Sequence, residues 1–341
     1  MKSSSSKSRA IRLQQEYATA PLPNHRQPAL HTDRPTAFRW LDAGLPWPVE
    51  PCNFITHFFS SEVYCAKHPG QLSVKVALNG QEVYEMGRDQ VAVDNDSYLI
   101  LNDGQEYASR IESETPVESF SVFFSPDFAF DTLRSLITPY DQLLDLPKTS
   151  AQPVTFFQHR YDAEPTLLPT LQTLRKTVAQ GLYSNGWLEE QFHTVLEQML
   201  LVHRKVHTDI DNLAGVRHAT RMEVYERAHQ ARDYMEANLA KALSIAEIAD
   251  HACLSPHHFL RSFKQVFGET PHQYLMRRRL ERAQHLLMRT NLSVTDICIG
   301  IGFESLGSFS WLFRQRIGVP PDTYRKQQRG IFSSARPLLT A

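Results

Sequence analysis

One stretch of this chain is written twice, and that duplication constrains the fold more than any other feature. The first copy, LSIAEIADHACLSPHHFLRSFKQVFGETPHQY, runs from Leu243 to Tyr274, and the second, LSVTDICIGIGFESLGSFSWLFRQRIGVPPDTY, from Leu292 to Tyr324. Leu243, Ser244, Ile245 and Ile248 recur at Leu292, Ser293, Val294 and Ile297, an offset of 49. Phe259, Phe263, Gly268, Pro271 and Tyr274 recur at Phe309, Phe313, Gly318, Pro321 and Tyr324, an offset of 50, so the second turn holds one extra residue. Two copies are too few to stack into a repeat array. They read instead as a pair of like units.

Each copy spells helix, turn, helix. Ser244-x-x-Glu247 reads as a full capping box and Ser293-x-x-Asp296 as its Asp-ended variant. Each opens a short helix with a buried face of Ile245, Ile248 and Ala249, or of Val294, Ile297 and Cys298. Gly302 suits a turn that needs positive φ, where the first copy has Cys253. Ser255-Pro256 starts a second helix, with Ser as cap and Pro in the first turn. Phe259, Phe263 and Phe267 fall at i, i+4 and i+8 on one stripe, repeated by Phe309, Phe313 and Ile317. That leaves His257, His258, Arg261, Lys264 and Gln265 facing outward in one copy, and Leu306, Gly307, Ser308, Trp311, Arg314 and Gln315 in the other. These are candidate recognition helices for a DNA major groove. Pro271 to Thr290 reads as one unbroken helix between the copies. Its length of roughly 30 Å approaches the ~34 Å of one DNA turn, the spacing needed to enter successive major grooves.

With SPHHFLRSFKQVFGETPHQYL, RLERAQHLL and GFESLGSFSWLFRQRIGVPPDTYR in place, the last third of the chain resembles the DNA-binding domain of AraC/XylS-family transcription regulators. The resemblance puts the family's reading positions on His257, His258 and Arg261, then on Leu306, Gly307, Ser308 and Trp311. Where the family commonly has a basic residue, this chain has Trp311. Lys264, Arg314 and Arg316 read as phosphate anchors. Arg277, Arg278 and Arg279 span most of a helical turn and cannot all face DNA, so one of them is expected to pair internally, with Glu281 or Asp296.

The 36 basic and 37 acidic residues nearly cancel, which alone would argue against a nucleic-acid partner. Their distribution reverses that. Residues 217–341 carry 18 Lys+Arg and 11 Asp+Glu, net +7, and residues 1–216 carry 18 and 26, net −8, summing to −1. A basic half beside an acidic one is the asymmetry expected when one half meets phosphate. Cys52, Cys65, Cys253 and Cys298 have no metal-type spacing and read as reduced thiols. No signal peptide and no apolar run near ~18 residues stands out, so a cytoplasmic protein with no membrane partner is expected.

Residues 1–36, rich in Ser, Pro and Gln, read as a mobile leader. From Cys52 to Phe124 come short β-like runs. Val74, Val76 and Leu78 alternate with Lys75, Ala77 and Asn79 as in a half-buried strand, and Asn79-Gly80 marks a hairpin turn. GQEVYEM, QVAVD, SYLILN, EYASRIE and SFSVFF continue the pattern, which suggests a small barrel or sandwich. The family resemblance selects a cupin-like barrel with a sensing role. His57 and His68 form no HxH pair, and Tyr107 stands near the place where a metal-binding cupin often has its second-motif His, so no metal is expected. Phe54, Phe58, Tyr64, Tyr84, Tyr98, Tyr107, Phe120 and Phe124 are candidates for an aromatic ligand pocket.

Pro126 to Gln158 reads as irregular, with a short helix over Phe128–Ile137. Two amphipathic helices follow, one with Leu167, Leu168, Leu171, Leu174 and Val178, the other with Leu188, Phe192, Val195, Leu196, Met199 and Val202. They suggest a helical hairpin, which in the family often makes the dimer contact. His203 and His207 read as a solvated helix end.

The expectation is an α+β chain of two domains. A cupin-like β-barrel with its helical hairpin occupies residues 37–207. A linker follows at 208–219, then an all-α domain with two helix-turn-helix motifs joined by a long helix at 220–329, and a tail at 330–341. The resemblance implies a non-enzymatic homodimeric regulator, an activator by family habit. Its partners would be double-stranded DNA, a small-molecule effector and RNA polymerase, with no cofactor. Two alternatives stay open: a ligand-independent architectural regulator, and a metal-dependent cupin enzyme fused to a DNA-binding domain.

Overall fold

The computed structural model describes residues 37–39, 52–137, 154–163, 165–181, 183–215 and 217–334. The expected leader, most of the irregular stretch after Ile137 and the end of the expected tail lie outside the described residues. The chain forms two compact units, Met1–Gly87 with Val93–Arg204, and Lys205–Ala341 with Arg88–Ala92.

Eight strands form one sheet: β1 (Ala37–Arg39), β2 (Phe54–Pro69), β3 (Ser73–Leu78), β4 (Glu82–Met86), β5 (Asp89–Val93), β6 (Ser97–Leu101), β7 (Glu106–Phe123) and β8 (Arg160–Asp162). The order is β1-β2-β7-β3-β6-β8, with β4 also on β7. Apart from β1, which lies parallel to β2, the paired strands run antiparallel and form a nearly closed barrel. Its spine is a long ribbon of β2 and β7, paired from Phe54↔Phe123 to Pro69↔Glu106. Register shifts between Ser60/Glu62 and Cys65/His68 bend that ribbon, as bulges do. EYASRIE and SFSVFF are therefore one strand of 18 residues, bent by irregularities in pairing instead of broken by a turn.

Cross-strand register sorts the side chains into two faces. One carries His57↔Phe120, Ile55↔Val122, Val76↔Phe120 and Val74↔Ile100, and packs under helices. His57 Nε2 lies 2.7 Å from Glu118 Oε1, which also accepts from Arg175 at 2.5 Å. The other face, the barrel interior, carries Phe54↔Phe123, Thr56↔Ser121, Lys75↔Ser121 and Tyr84↔Ser109. The half-buried strand expected around Lys75 is in fact buried on both faces, since helices cover one side and barrel closure the other.

Three helices accompany the barrel, α1 (Pro126–Ile137) before β8, and α2 (Leu167–Gln180) and α3 (Asn185–Asp211) after it. α2 buries the Leu167, Leu168, Leu171, Leu174 and Val178 stripe and ends on left-handed Gly181. α3 buries Leu188, Phe192, Val195, Leu196 and Met199, with Phe192 edge-on to Phe124. It continues to Asp211, into the stretch read as linker. His203 packs edge-on to Phe156 at 5.4 Å, so it is not a solvated helix end.

From His218 onward the second unit is helical: α4 (His218–Ala237), α5 (Ile245–His251), α6 (Pro256–Phe267), α7 (Pro271–Arg289), α8 (Val294–Gly300), α9 (Leu306–Ile317) and α10 (Pro321–Ser334). It has two small cores. Ala231, Met235, Ile248, Ala249, Phe259, Phe263, Tyr274 and Leu275 make the first. Leu280, Ala283, Leu287, Ile297, Cys298, Phe309 and Phe313 make the second. α7 serves both, giving Tyr274 and Leu275 to one and Leu280, Ala283 and Leu287 to the other. The duplication holds to the level of ring geometry. Phe263 meets Tyr274 edge-on at 5.5 Å, and Phe313 meets Tyr324 edge-on at 5.6 Å.

Candidate nucleic-acid interface

α6 and α9 begin and end by the same means. The Ser255 hydroxyl accepts from the His258 N–H and Ser305 from the Ser308 N–H, while left-handed Gly268 and Gly318 close the two helices. The caps of the preceding helices reverse the expected assignment. Ser293 and Asp296 form the reciprocal box, but Glu247 accepts a 2.7 Å bond from the Tyr234 hydroxyl, and only the Ser244 half is made. That bond raises the Tyr234 pKa to about 12, because ionising the phenol would set two negative charges together.

Between the phenylalanine anchors, each second helix turns a set of side chains to solvent. His257, His258, Arg261 and Lys264 are exposed on α6; Leu306, Gly307, Ser308, Trp311, Arg314 and Gln315 are exposed on α9. Trp311 is 66% exposed, a large apolar surface for a position that no core requires. Gln265 departs from this group, being half-buried with its amide donating to the Ala214 carbonyl at 2.9 Å. Ser308 is partly engaged, accepting a 2.8 Å hydroxyl bond from Ser305.

The cations divide sharply. Arg261, Lys264, Arg314 and Arg316 are exposed and make no ion pair with another described residue. On α7, by contrast, all three consecutive arginines are engaged, where the sequence pattern predicts one. Arg277 bridges Glu269 and Glu281 at 2.8 and 2.9 Å. Arg278 bridges Glu236 and Glu281 at 2.6 and 2.7 Å. Arg279 donates to the carbonyls of Leu239 and Lys241 at 2.9 and 2.6 Å, in the turn after α4. Sequence alone does not reveal this Arg279 anchor, because its partners are backbone oxygens 40 and 38 residues away.

The barrel candidates do not form one pocket. Phe54, Phe58, Tyr84 and Tyr107 share the inner face, with Phe54 stacked on Phe123 at 4.2 Å. Tyr98 and Phe120 lie on the helix-covered face, and Tyr98 stacks on Tyr161. Tyr64 is 59% exposed and lines no interior, because the bulge before it turns it outward. Nor is the interior mainly aromatic: Thr56, Ser73, Lys75, Glu82, Ser109, Ser119 and Ser121 are all buried there. Among the described residues no group of three or more His, Cys, Asp or Glu is arranged to hold a metal ion, and no helix is long and apolar enough to cross a membrane. All four cysteines are free thiols.

Comparison with known proteins falls on the C-terminal unit. A family described as "Helix-turn-helix domain" matches residues 248–327. The transcriptional regulator ArgR of Pseudomonas aeruginosa is 42% identical over 101 residues, 30% of this chain and 31% of that protein. The transcriptional activator AarP of Providencia stuartii is 35% identical over 97 residues, 28% of this chain and 72% of that protein. An AraC-type transcriptional regulator structure from Chromobacterium violaceum is 34% identical, covering 30% of this chain and 91% of its own, with a TM-score of 0.29. The chain spans about a third of the length of the first curated relatives it matches. A duplicated helical core, a matching helix-turn-helix family and a relative covered over most of its length agree: the chain belongs to the AraC/XylS family of transcription regulators.

Proposed function

We propose that this protein is a sequence-specific DNA-binding transcription regulator whose two outward helices, α6 and α9, read successive major grooves as two helix-turn-helix motifs. The observation that carries the reading is the division of cations: Arg261, Lys264, Arg314 and Arg316 on those two helices have no ion-pair partner among the described residues, while Arg277, Arg278 and Arg279 of α7 are tied into the fold. Unpaired Arg and Lys on a helix face are what phosphate and guanine contacts require. Arg261 is the leading base reader, with His257 and His258 beside it at the helix start. Trp311 brings an apolar surface suited to a thymine methyl or a sugar.

The barrel, cupin-like in this reading, senses a small-molecule effector, and residues 37–207 also dimerise through the α2–α3 hairpin. Effector binding alters how the paired DNA-binding domains reach neighbouring half-sites. The protein acts without enzymatic activity or cofactor, in the cytoplasm, as an activator that meets RNA polymerase at its promoters. A footprint on DNA flanking its own gene, at physiological salt with excess competitor, tests the core of this reading. Two protected patches one helical turn apart are expected. Protection that disappears into the competitor, with and without cell extract as a source of effector, would sink it.

A further inference from the structure

The barrel interior holds two buried ionisable side chains of opposite type that are incompletely satisfied. Lys75 on β3 is 2% exposed and Glu82 on β4 is 3% exposed. The Lys75 ammonium has three N–H donors. One reaches the Tyr107 hydroxyl at 3.2 Å, and the charge rests 3.5 Å from the centre of the Phe123 ring. An aromatic face attracts a cation but accepts poorly from its N–H groups, so donors remain for an acceptor. Glu82 is ringed by the Ser119, Ser109 and Tyr84 hydroxyls, yet its Oε2 is buried with no hydrogen-bond partner. The two charges sense each other through space. Burial nonetheless pushes Lys75 down to about 7 and pushes the Glu82 carboxyl up, so desolvation outweighs their mutual attraction at both groups.

We infer that the barrel interior is a site for a small zwitterion, a free amino acid or close relative, with Lys75 taking its carboxylate and Glu82 Oε2 its ammonium. This rests on the reading of the barrel as the sensing domain and names the class of effector. The choice is dictated by charge. A simple anion would meet Lys75 but bring a second acidic group toward Glu82. A simple cation would do the reverse to Lys75. A sugar would offer dipoles to both and a counter-charge to neither. A zwitterion supplies the missing partner at each end and brings no net charge into a low-dielectric interior, where unpaired charge is most costly. Tyr84 and Tyr107, whose rings meet with centres 6.0 Å apart, would lie along one side of the part of the ligand between its charged ends.

The test is calorimetry and thermal shift on the full chain with the twenty free L-amino acids, their N-acetyl derivatives and their amides. At least one amino acid should bind saturably. Its N-acetyl form, lacking the ammonium, and its amide, lacking the carboxylate, should each bind at least tenfold more weakly. In Glu82→Gln the preference over the N-acetyl form should collapse. In Lys75→Met the preference over the amide should collapse. Equal binding of all three forms to the wild type overturns the assignment without any variant, and so does unchanged discrimination in both variants. A parallel panel of sugars and monocarboxylates separates the two layers. Saturable shifts from that panel alone would remove the zwitterion and leave the sensor, whereas silence from every class would remove both.

Discussion

Glycine at position 302 is demanded by close packing as well as by backbone conformation, and a pair of alanine substitutions separates the two. At Gly268 φ is 73° and an added Cβ meets nothing within 4 Å. Gly268→Ala therefore carries only the left-handed backbone cost of ~1–2 kcal/mol, reduced by the ~0.4–1 kcal/mol that a stiffer unfolded chain returns. At Gly302 φ is 84°, and the same Cβ falls 2.6 Å from Arg279 Nη2, 2.8 Å from the Leu239 oxygen and 2.9 Å from the Ala240 oxygen. Those carbonyls are backbone and cannot swing aside. The guanidinium can move only by loosening its bonds to Leu239 and Lys241. Hydrogen bonds to a charged group contribute ~1.5–3 kcal/mol each. The expected costs are about 1 kcal/mol for Gly268→Ala and about 3–5 kcal/mol for Gly302→Ala. Cys253, at the equivalent place in the first copy, has φ 54°, so a side chain is compatible with that turn where space allows. Urea denaturation of the full chain, followed by circular dichroism at 222 nm, measures both losses on the helical unit. Equal losses at the two glycines would refute the packing argument.

Other consequences are open to simpler measurements. Arg261→Ala should cost ~1–3 kcal/mol of specific DNA binding and relax preference at one base position; an equal loss on every sequence would reduce Arg261 to a phosphate contact. Lys264→Ala should weaken binding uniformly and lower the slope of log K against log salt by about one unit, and an unaltered slope would remove it from the phosphate set. For Lys75, burial lowers the folded-state pKa from 10.5 to about 7, so the unfolded chain binds more protons between those values. Stability relative to Lys75→Met should then rise with pH across that window, by at most ~1.4 kcal/mol per pH unit. Parallel pH–stability profiles for the two proteins would contradict that burial effect.

The C-terminal unit is legible in the sequence almost residue by residue, since its signals are local and doubled. Caps, phenylalanine stripes and a breaker-free connecting helix each announce themselves within a few positions, and the second copy checks the first. Even there, Glu247 departs from the expected box, because a carboxylate one turn into a helix can serve its own cap or a neighbour such as Tyr234, and only tertiary placement decides. The barrel is legible as strands but not as faces. Alternation at Val74, Lys75 and Val76 separates two sides without revealing that both are covered. A lysine in a strand ordinarily signals solvent, which hides Lys75. Tyr98, Phe120 and Tyr64 share aromatic character with Tyr107, although register and a bulge send them elsewhere. Arg279 escapes notice for a related reason: backbone carbonyls leave no trace in sequence.

Because α7 is built into both C-terminal cores, its residue count sets an angular phase as well as a distance. Each residue added to an α-helix rotates the downstream chain by ~100° and advances it by only ~1.5 Å. A single insertion between Leu275 and Leu280 would therefore swing α9 to another side of the axis while scarcely changing its reach. On the proposed reading, the same rigidity constrains the DNA. One base pair inserted between the two contacted patches rotates one against the other, and the protein has no flexible joint in α7 with which to follow. Operators of this regulator should diverge by base substitution and hold the separation of their two patches constant.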